Sequence, residues 1–290
     1  MLKYIIIFLI ICFLFFAEWM REIHTFKITN YHVTSRKLKG LKKERKVVFL
    51  SDLHSCSYGV NNEKLISAIR KEQPDCIIVA GDMVVAKPGA TIEVACNCLK
   101  ELASICDVYF ANGNHEQRMK ENTKLFGNLF VDFQEKLNSY GIKMLPNQKL
   151  EIFWDDIPLE IYGLELPTRK YKKFQKQTLT SEEVELFLGE ADRGKYNLLI
   201  AHNPMFAYSY LKWGADLILS GHLHGGVVRL PVIGGIITPD FSLFPKFSGE
   251  LTKVGDASVV VSKGIGIHTI KVRLFNPAEV VVMHISGAED

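Results

Sequence analysis

The sequence has little of what marks the more specialised classes of protein. Its formal net charge is only +3, from 35 basic and 32 acidic side chains, whereas a nucleic-acid-binding protein shows a concentrated basic stripe. Six cysteines in 290 residues are too few for a disulfide-stapled scaffold. Hydrophobic residues make up 48% and charged residues 23% of the chain, which excludes a disordered, collagen-like or low-complexity protein.

The positions of the cysteines favour reduced thiols. Cys12 lies in an apolar N-terminal run, and the other five fall between Cys56 and Cys106. An odd five cannot all pair, and the closely spaced Cys96 and Cys98 have no second pair downstream with which to form a zinc site. We therefore expect these cysteines to have structural roles.

Residues 1–20 are predicted to form a membrane anchor. Between Tyr4 and Ala17 the chain has no charged residue and consists mainly of Ile, Leu and Phe. This run alone spans only about 21 Å, but counted from Leu2 to Met20 it becomes long enough to cross a hydrocarbon core of roughly 30 Å. A cleaved signal peptide is the alternative, although cleavage favours two small residues in an A-x-A pattern and the run ends with only one.

Residues 21–46 are interpreted as a basic linker with an N-terminal strand region. From Arg36 to Lys46 the chain carries seven positive charges and one negative charge, while the other flank of the apolar run has only Lys3 and the terminal amino group. The positive-inside rule therefore favours a main domain that faces the cytoplasm, in agreement with reduced cysteines. A solvated loop and a patch that rests on anionic lipid are the alternative interpretations of these charges.

Beyond residue 46 the hydrophobic pattern predicts alternating strands and helices. Short apolar runs, typical of strands buried on both faces, lie at 47–50, 76–80, 108–111, 197–201 and 217–220. Segments with apolar side chains at helical spacing lie at 61–72, 91–106 and 128–140. This order predicts a largely parallel sheet. After Gly225 the pattern changes to strands and turns, which indicates a second sheet packed on the first, and residues 47–290 show no internal linker.

Polar residues follow the predicted strands in five places. In open α/β sheets, ligands bind outside the carboxyl ends of the strands, so we expect these residues to converge on one crevice. The five groups are Asp52-x-His54, Gly81-Asp82, Gly113-Asn114-His115-Glu116, His202 and Gly221-His222-x-His224. A single histidine of this kind would more often be structural, but five of the nine histidines lie in these groups. The pattern therefore predicts a metal centre.

The donor types in these groups favour two transition-metal ions. Four imidazoles, two carboxylates and a neutral asparagine suit Mn, Fe or Zn and disfavour an all-oxygen site for Mg or Ca. Seven ligands are too many for one tetrahedral ion but suit two ions that share a carboxylate. Two divalent ions outweigh the two aspartates in charge, and the excess positive charge suits a hydroxide and an anionic phosphoester.

In this order, the five groups resemble the motifs of the calcineurin-like metallophosphoesterases. Further stretches, among them Gly225-Gly226, 261–266 and 273–276, resemble a bacterial membrane-associated phosphodiesterase subgroup. The resemblance extends over roughly residues 28–285. One departure is Val227, where this subgroup often has glutamine, and it affects a substrate contact rather than the metal ligands. The implied fold is a four-layer α/β/β/α sandwich of two mixed sheets with an N-terminal transmembrane helix.

The resemblance also implies a role for each site residue. One metal ion would be bound by Asp52, His54 and His224, the other by Asn114, His202 and His222, and Asp82 would bridge both together with a hydroxide that attacks phosphorus. His115 would contact the leaving-group oxygen as a general acid or a charge stabiliser. Glu116 is expected either to fix the tautomer of His115 or to be an acidic residue at the start of a helix.

The implied activity is dinuclear-metal-dependent phosphoester hydrolysis, with Mn as the favoured metal. Because the chain carries a membrane segment, a phosphodiester or pyrophosphate on a lipid or cell-envelope precursor is the favoured substrate. A phosphomonoesterase, a protein phosphatase and a nuclease are alternatives within the family, and a non-catalytic binding module is the alternative outside it. A nuclease would benefit from a basic groove with aromatic residues, and a binding module would have lost ligands, so neither is favoured.

Two further features are left without a catalytic role. The basic segment Arg169-Lys170-Tyr171-Lys172-Lys173 is more typical of a solvated loop than of a phosphate or headgroup site. Phe241, Phe244 and Phe247 form a cluster that is consistent with a membrane-facing or substrate loop and equally with a buried turn.

Overall fold

Strands and helices alternate in the N-terminal part of the main domain, as the hydrophobic pattern predicts. The computed structural model describes residues 1–172, 175, 177–226, 228–230, 234–237, 246–267, 273 and 275–288. The helices are α1 (Leu2–His24), α2 (Glu63–Glu72), α3 (Glu93–Ala103), α4 (Asn114–Glu121), α5 (Thr123–Phe126), α6 (Leu129–Ser139), α7 (Ser181–Leu188) and α8 (Ala207–Trp213). The strands are β1 (Phe26–Ser35), β2 (Arg45–Leu50), β3 (Cys76–Val79), β4 (Val108–Phe110), β5 (Lys143–Met144), β6 (Gln148–Trp154), β7 (Ile157–Leu164), β8 (Tyr196–Ala201), β9 (Leu217–Ser220), β10 (Val228–Leu230), β11 (Gly234–Ile237), β12 (Leu251–Val254), β13 (Ala257–Val261) and β14 (Ala278–Gly287).

Two mixed sheets, each of six strands within the described ranges, form the body of the domain. The first has the order β1-β14-β2-β3-β4-β5, and the second has the order β12-β13-β9-β8-β7-β6. In the first sheet, β2 to β5 are parallel, while β14 is antiparallel to β2 and parallel to β1. In the second sheet, antiparallel β6 and β12 flank the parallel strands β7, β8, β9 and β13. The prediction of two mixed sheets is confirmed.

The layers of the fold follow from strands that are apolar on both faces. Successive side chains of a strand point to opposite faces, so Val47 and Phe49 of β2 enter the core between the sheets, while Val48 and Leu50 pack beneath helices. Each such fully buried side chain contributes roughly 1.5–3 kcal/mol to stability. Helices α2, α3 and α6 cover the first sheet, and α7 and α8 cover the second. The predicted α/β/β/α sandwich is therefore confirmed.

The N-terminal helix carries an exposed apolar surface. Helix α1 contains 23 residues, and its most apolar stretch has no buried residue. Its length is roughly 34 Å, which matches the hydrocarbon core of a bilayer. By length and composition α1 is able to cross a membrane, as an anchor or as a signal sequence. Residues 21–46, interpreted above as a linker with a strand region, contain the last turn of α1, the edge strand β1 and the start of β2.

The basic stretch lies at the opposite end of β1 from α1. Strand β1 has ten residues, and it therefore carries the chain roughly 33 Å from the end of α1 to Arg36. There the basic side chains pair with acidic residues of the domain. The pairs are Arg36–Asp256, Lys37–Asp216, Lys42–Asp156 and Arg45–Asp155. These four of the seven basic residues of this stretch are therefore paired within the domain, at the end of β1 that lies away from α1.

All six cysteines lie within the described residues and are free thiols. Cys76, Cys96 and Cys98 are buried in the core. Burial raises the pKa of Cys98 to about 12, so this thiol stays protonated and inert at neutral pH. The burial of these three cysteines agrees with the structural roles expected from the sequence.

Candidate metal centre

The polar residues that follow β2, β3, β4, β8 and β9 meet at one edge of the domain. At this edge, ligand atoms lie within 4.8 Å of one another in two groups, and His54, Asp82 and His115 form a third that shares His54 with the first group and Asp82 with the second. The first group is Asp52, His54 and His224, and the second is Asp82, His202 and His222. Asn114, the remaining predicted ligand, begins α4 and is 7% exposed. The structure thus brings together residues that are up to 172 positions apart in the sequence, from Asp52 to His224.

The first group has the spacing of ligand atoms around a single ion. Nε2 of His224 lies 3.3 Å from Oδ1 of Asp52, and Nε2 of His54 lies 3.7 Å from the same oxygen. The two Nε2 atoms are 3.0 Å apart. Ligand atoms bonded to one ion at ~2.1 Å are about 3 to 3.4 Å from each other, so these three side chains fit a metal ion.

The second group contains a histidine in the tautomer that a metal requires. Nδ1 of His202 lies 2.6 Å from the carbonyl oxygen of Ala80 and donates to it, so Nε2 of the neutral ring carries a lone pair. This Nε2 faces Oδ2 of Asp82 at 3.2 Å. A lone pair and a carboxylate at this distance repel each other unless a proton or a cation lies between them. Burial lowers the pKa of His202, but Asp82 and Asp52 outweigh it and raise the pKa to about 10.

Asn114, at the start of α4, offers a further oxygen donor for a cation. Its Oδ1 is buried and has no hydrogen-bond partner among the described residues. Leaving such an oxygen unsatisfied costs roughly 1–3 kcal/mol. The amide oxygen, the His202 nitrogen and the Asp82 carboxylate are a mixed nitrogen and oxygen donor set of the kind that Mn, Fe and Zn accept. These residues therefore fit a metal ion.

Asp82 lies between the two groups. Its Oδ1 accepts a hydrogen bond from the backbone N–H of His115 at 2.7 Å, which leaves Oδ2 directed into the site. Oδ2 lies 4.0 Å from Nε2 of His54 in the first group, in addition to its contact with His202 in the second. Burial raises the pKa of Asp82, but His202 and His115 outweigh it and hold the pKa well below its usual value. The carboxylate is therefore ionised and faces one ligand of each group.

Five of the candidate ligands have a backbone conformation that L-residues rarely adopt. Positive φ angles between 48° and 68° occur at Asp52, His54, Asp82, His222 and His224. Each such residue costs roughly 1–3 kcal/mol, and strain of this kind clusters at functional sites. The surrounding core must therefore contribute to holding these five residues in this conformation.

Two glycines allow the aspartates to approach the neighbouring backbone. A Cβ atom on Gly221 would lie 2.2 Å from Oδ2 of Asp52, and one on Gly113 would lie 2.2 Å from Oδ1 of Asp82. Contacts this short are not possible for a side-chain carbon. Glycine is therefore required at both positions because the carboxylates occupy the space that a side chain would fill.

His115 lies beside the ligands with the opposite tautomer from His202. The backbone N–H of Ala86 donates to Nδ1 of His115 at 2.8 Å, so the neutral ring carries its proton on Nε2. This Nε2 is 4.0 Å from Oδ2 of Asp82, close to the groups that would hold metal. A protonated ring nitrogen donates a hydrogen bond and does not bind a metal. The geometry therefore suits a proton donor.

Glu116 connects two of the turns that carry candidate ligands. Its carboxylate is fully buried and accepts hydrogen bonds from the backbone N–H groups of Asp82, Met83 and Val84 and from that of Gly113. Burial and the neighbouring Asp82 raise the pKa of Glu116 to about 7. The tautomer of His115 is thus set by Ala86 and not by Glu116, in contrast to one expectation from the sequence.

Tyr171 is a residue of the site that the sequence analysis missed. Thr168–Tyr171 forms a 3-10 helical turn beside α4, where the backbone N–H of Thr168 donates to Glu121 at 3.2 Å. The Tyr171 ring lies edge-on to His222, with 5.1 Å between ring centroids. Burial raises the pKa of Tyr171 well above its usual value, so the hydroxyl stays protonated. The interpretation of this segment as a solvated loop is therefore wrong for Tyr171.

Of the other residues named in the sequence analysis, only some lie within the described part of the chain. Val227, Phe241, Phe244 and the end of the basic segment, Lys173, lie outside the described residues. Phe247 is buried, and its ring lies 5.5 Å from that of Tyr208.

Comparison with known proteins agrees with the geometry. A profile of the calcineurin-like phosphoesterases matches residues 45–226, a range that contains every candidate ligand. An uncharacterized metallophosphoesterase of Aquifex aeolicus is 28% identical over 274 residues, which are 92% of this chain and 94% of the relative. Phosphodiesterase YaeI of Escherichia coli is 27% identical over 225 residues, which are 76% of this chain and 75% of the relative.

A solved structure with a similar chain course is that of phosphopantetheinyl hydrolase from Mycobacterium tuberculosis. The TM-score is 0.46 at 15% sequence identity, and the similarity covers 78% of this chain and 90% of that one. The family match itself extends from residue 45 to residue 226 of the 290 residues, which is more than half of the chain. The protein therefore belongs to the family of calcineurin-like phosphoesterases, which are metal-dependent hydrolases.

Proposed function

We propose that the protein is a membrane-anchored phosphodiesterase that uses two divalent metal ions, with Mn favoured, to hydrolyse a phosphodiester or a pyrophosphate. The observation that carries the proposal is the position of Asp82, whose Oδ2 faces His54 of one ligand group and His202 of the other. A carboxylate shared in this way is the usual device for holding two ions about 3.5–4 Å apart.

The ligand groups would divide between the two ions. Asp52, His54 and His224 would hold the first, and Asn114, His202 and His222 the second, with Asp82 shared. Bound ions would supply Lewis acidity toward a phosphoryl oxygen and lower the pKa of a water molecule. The chain itself contributes the fixed positions of the donors, which the core strands and the contacts of Glu116 hold in place despite the backbone strain.

His115 would act on the leaving group. Because Ala86 occupies its Nδ1, the proton on Nε2 is directed into the site and is available to the departing oxygen. A donor in this position stabilises the charge that develops on that oxygen or transfers the proton to it. Tyr171, with its protonated hydroxyl, lies beside His222 of the second ligand group and would contact the substrate.

The choice of substrate class rests on two features. The relative YaeI is named as a phosphodiesterase, and helix α1 exposes an apolar surface long enough to cross a bilayer. Both favour a phosphodiester or pyrophosphate on a lipid or cell-envelope precursor, with the domain on the cytoplasmic side as the positive-inside rule predicts. A nuclease is disfavoured because the dense basic stretch lies at the far end of β1 and is paired with acidic residues.

The first prediction concerns Asp82→Asn. The amide keeps the oxygen that accepts the His115 N–H but removes the negative charge between the ions, so we expect both ions to bind weakly and turnover to be lost. Hydrolysis of bis-p-nitrophenyl phosphate with added Mn tests this. Asp132→Asn, an exposed position on α6, is the matched control. Full activity of Asp82→Asn would contradict the shared role.

The second prediction separates His115 from the ligands. His115→Ala should retain both ions and lose the proton donor, lowering the turnover rate by about 10²-fold or more. Metal content by mass spectrometry and turnover are measured on the same sample. Asn138→Ala, at an exposed position on α6, should change neither quantity. Loss of metal from His115→Ala would identify His115 as a ligand instead.

The third prediction concerns protons released by metal binding. Because His202 has a pKa raised to about 10 in the absence of metal, it holds a proton below that pH and must lose it to bind an ion. The apparent Mn affinity should therefore rise between pH 7 and pH 9, with net proton release. Calorimetric titration in two buffers of different ionisation enthalpy measures the number of protons released. An affinity that does not change with pH would show that metal binding does not remove a proton from His202.

The fourth prediction concerns the anchor. Deletion of residues 1–20 removes the exposed apolar part of α1, so the shortened protein should move from the membrane fraction to the soluble fraction. Flotation of both forms with vesicles measures this. A shortened protein that still floats would show that another surface binds the membrane.

A further inference from the structure

The carboxyl end of α1 lies at the same edge of the first sheet as the candidate metal ligands. β1 begins where β14 begins, with Phe26 opposite Ala278, and β14 is antiparallel to β2, with Val281 opposite Phe49. The start of β1 is therefore close to the carboxyl end of β2, from which Asp52 follows. The chain leaves α1 beside the site, and the basic stretch lies at the other end of β1.

Glu22, in the last turn of α1, is bound into the domain. It is buried, with an exposed fraction of 1%, whereas residues 2–17 of the helix are exposed. Its Oε2 accepts a hydrogen bond from the backbone N–H of Asn276 at 3.0 Å. Glutamate is rarely this buried unless it has a specific partner, so the contact is a built feature of the fold.

Asn276 connects this contact to a candidate metal ligand. Its Nδ2 donates to the carbonyl oxygen of His224 at 2.6 Å and to that of Gly226 at 2.7 Å. The turn closes tightly around this side chain, since a Cβ atom on Gly225 would lie 2.5 Å from Oδ1 of Asn276. Arg273, also buried, donates to the carbonyl oxygen of Asn276 at 3.0 Å. The Asn276 amide therefore fixes the turn from which His224 projects.

The neighbouring residue adds an apolar contact to the same helix. Phe275 is 44% exposed, has a positive φ of 54°, and places its ring edge-on to that of Phe15, with 6.2 Å between centroids. Phe15 lies two helical turns before Glu22, roughly 10 Å toward the N-terminus. Phe275 and Asn276 thus contact α1 at two levels, one apolar and one polar.

We propose that the end of α1 helps to build the metal site. Glu22 positions Asn276, and Asn276 positions the turn that carries His224. The inference rests on the dinuclear centre proposed above. Glu22 and Asn276 are positioning residues, since they act on the first ion only through the His224 turn. Because α1 is the candidate membrane span, the same contacts hold the mouth of the site at the membrane surface, where the phosphate of an amphiphilic substrate would lie.

The test uses the full-length protein in detergent micelles and measures Mn binding, without reference to activity. Glu22→Ala and Asn276→Ala should each weaken the binding of one of the two ions by about 10- to 100-fold and leave the other unchanged. Glu22→Gln retains an acceptor oxygen and should restore most of the affinity. Glu135→Ala is the matched control, because Glu135 is an exposed glutamate on α6.

The outcomes distinguish this inference from the proposed function. If the unaltered protein binds no metal, the dinuclear centre itself is wrong. If it binds two ions and Glu22→Ala and Asn276→Ala bind both with unchanged affinity, the coupling is wrong and the proposed function stands. A Glu22→Gln variant as impaired as Glu22→Ala would also overturn the assigned hydrogen bond. Equal weakening of both ions would indicate general loss of structure and contradict a specific effect on His224.

Discussion

The burial of two aspartates at one edge of the domain is the constraint on which the rest of the site depends. Asp52 and Asp82 are almost fully buried, and each ionised carboxylate in such a place costs several kcal/mol unless cations compensate it. Burial raises the pKa of Asp52, and the same pair of carboxylates raises the pKa of His202 to about 10. A proton on His202 compensates part of the negative charge of the two carboxylates, and two divalent ions would compensate it fully.

The scaffold supplies the geometry that the ions need. Five strained ligand residues are kept in place by core strands, by the amide contacts of Glu116 and by glycines that leave room for the carboxylates. His115 and His202 have opposite tautomers because Ala86 donates to one and Ala80 accepts from the other. The two rings therefore differ in what they present to the site: His115 presents a proton, and His202 presents a lone pair that can bind a metal.

Much of this could be predicted from the sequence, because buried strands have a clear apolar pattern and the carboxyl ends of parallel strands share an edge. The strand order could not, since the pattern of β14 does not show that it inserts between β1 and β2. Glu116, Tyr171 and Asn276 were missed or misassigned for a related reason. Their partners are backbone atoms and rings that only folding brings near, and a tyrosine within a basic segment has the pattern of a surface residue.

The central claim is that Asp82 is shared by two ions, and electron paramagnetic resonance of the Mn-loaded protein tests it most directly. A shared Asp82 should give two Mn ions per chain with the spectrum of an exchange-coupled pair, which requires a short bridge between them. The spectrum of isolated Mn ions at full loading, or saturation with one ion per chain, would contradict the shared carboxylate and with it the dinuclear site.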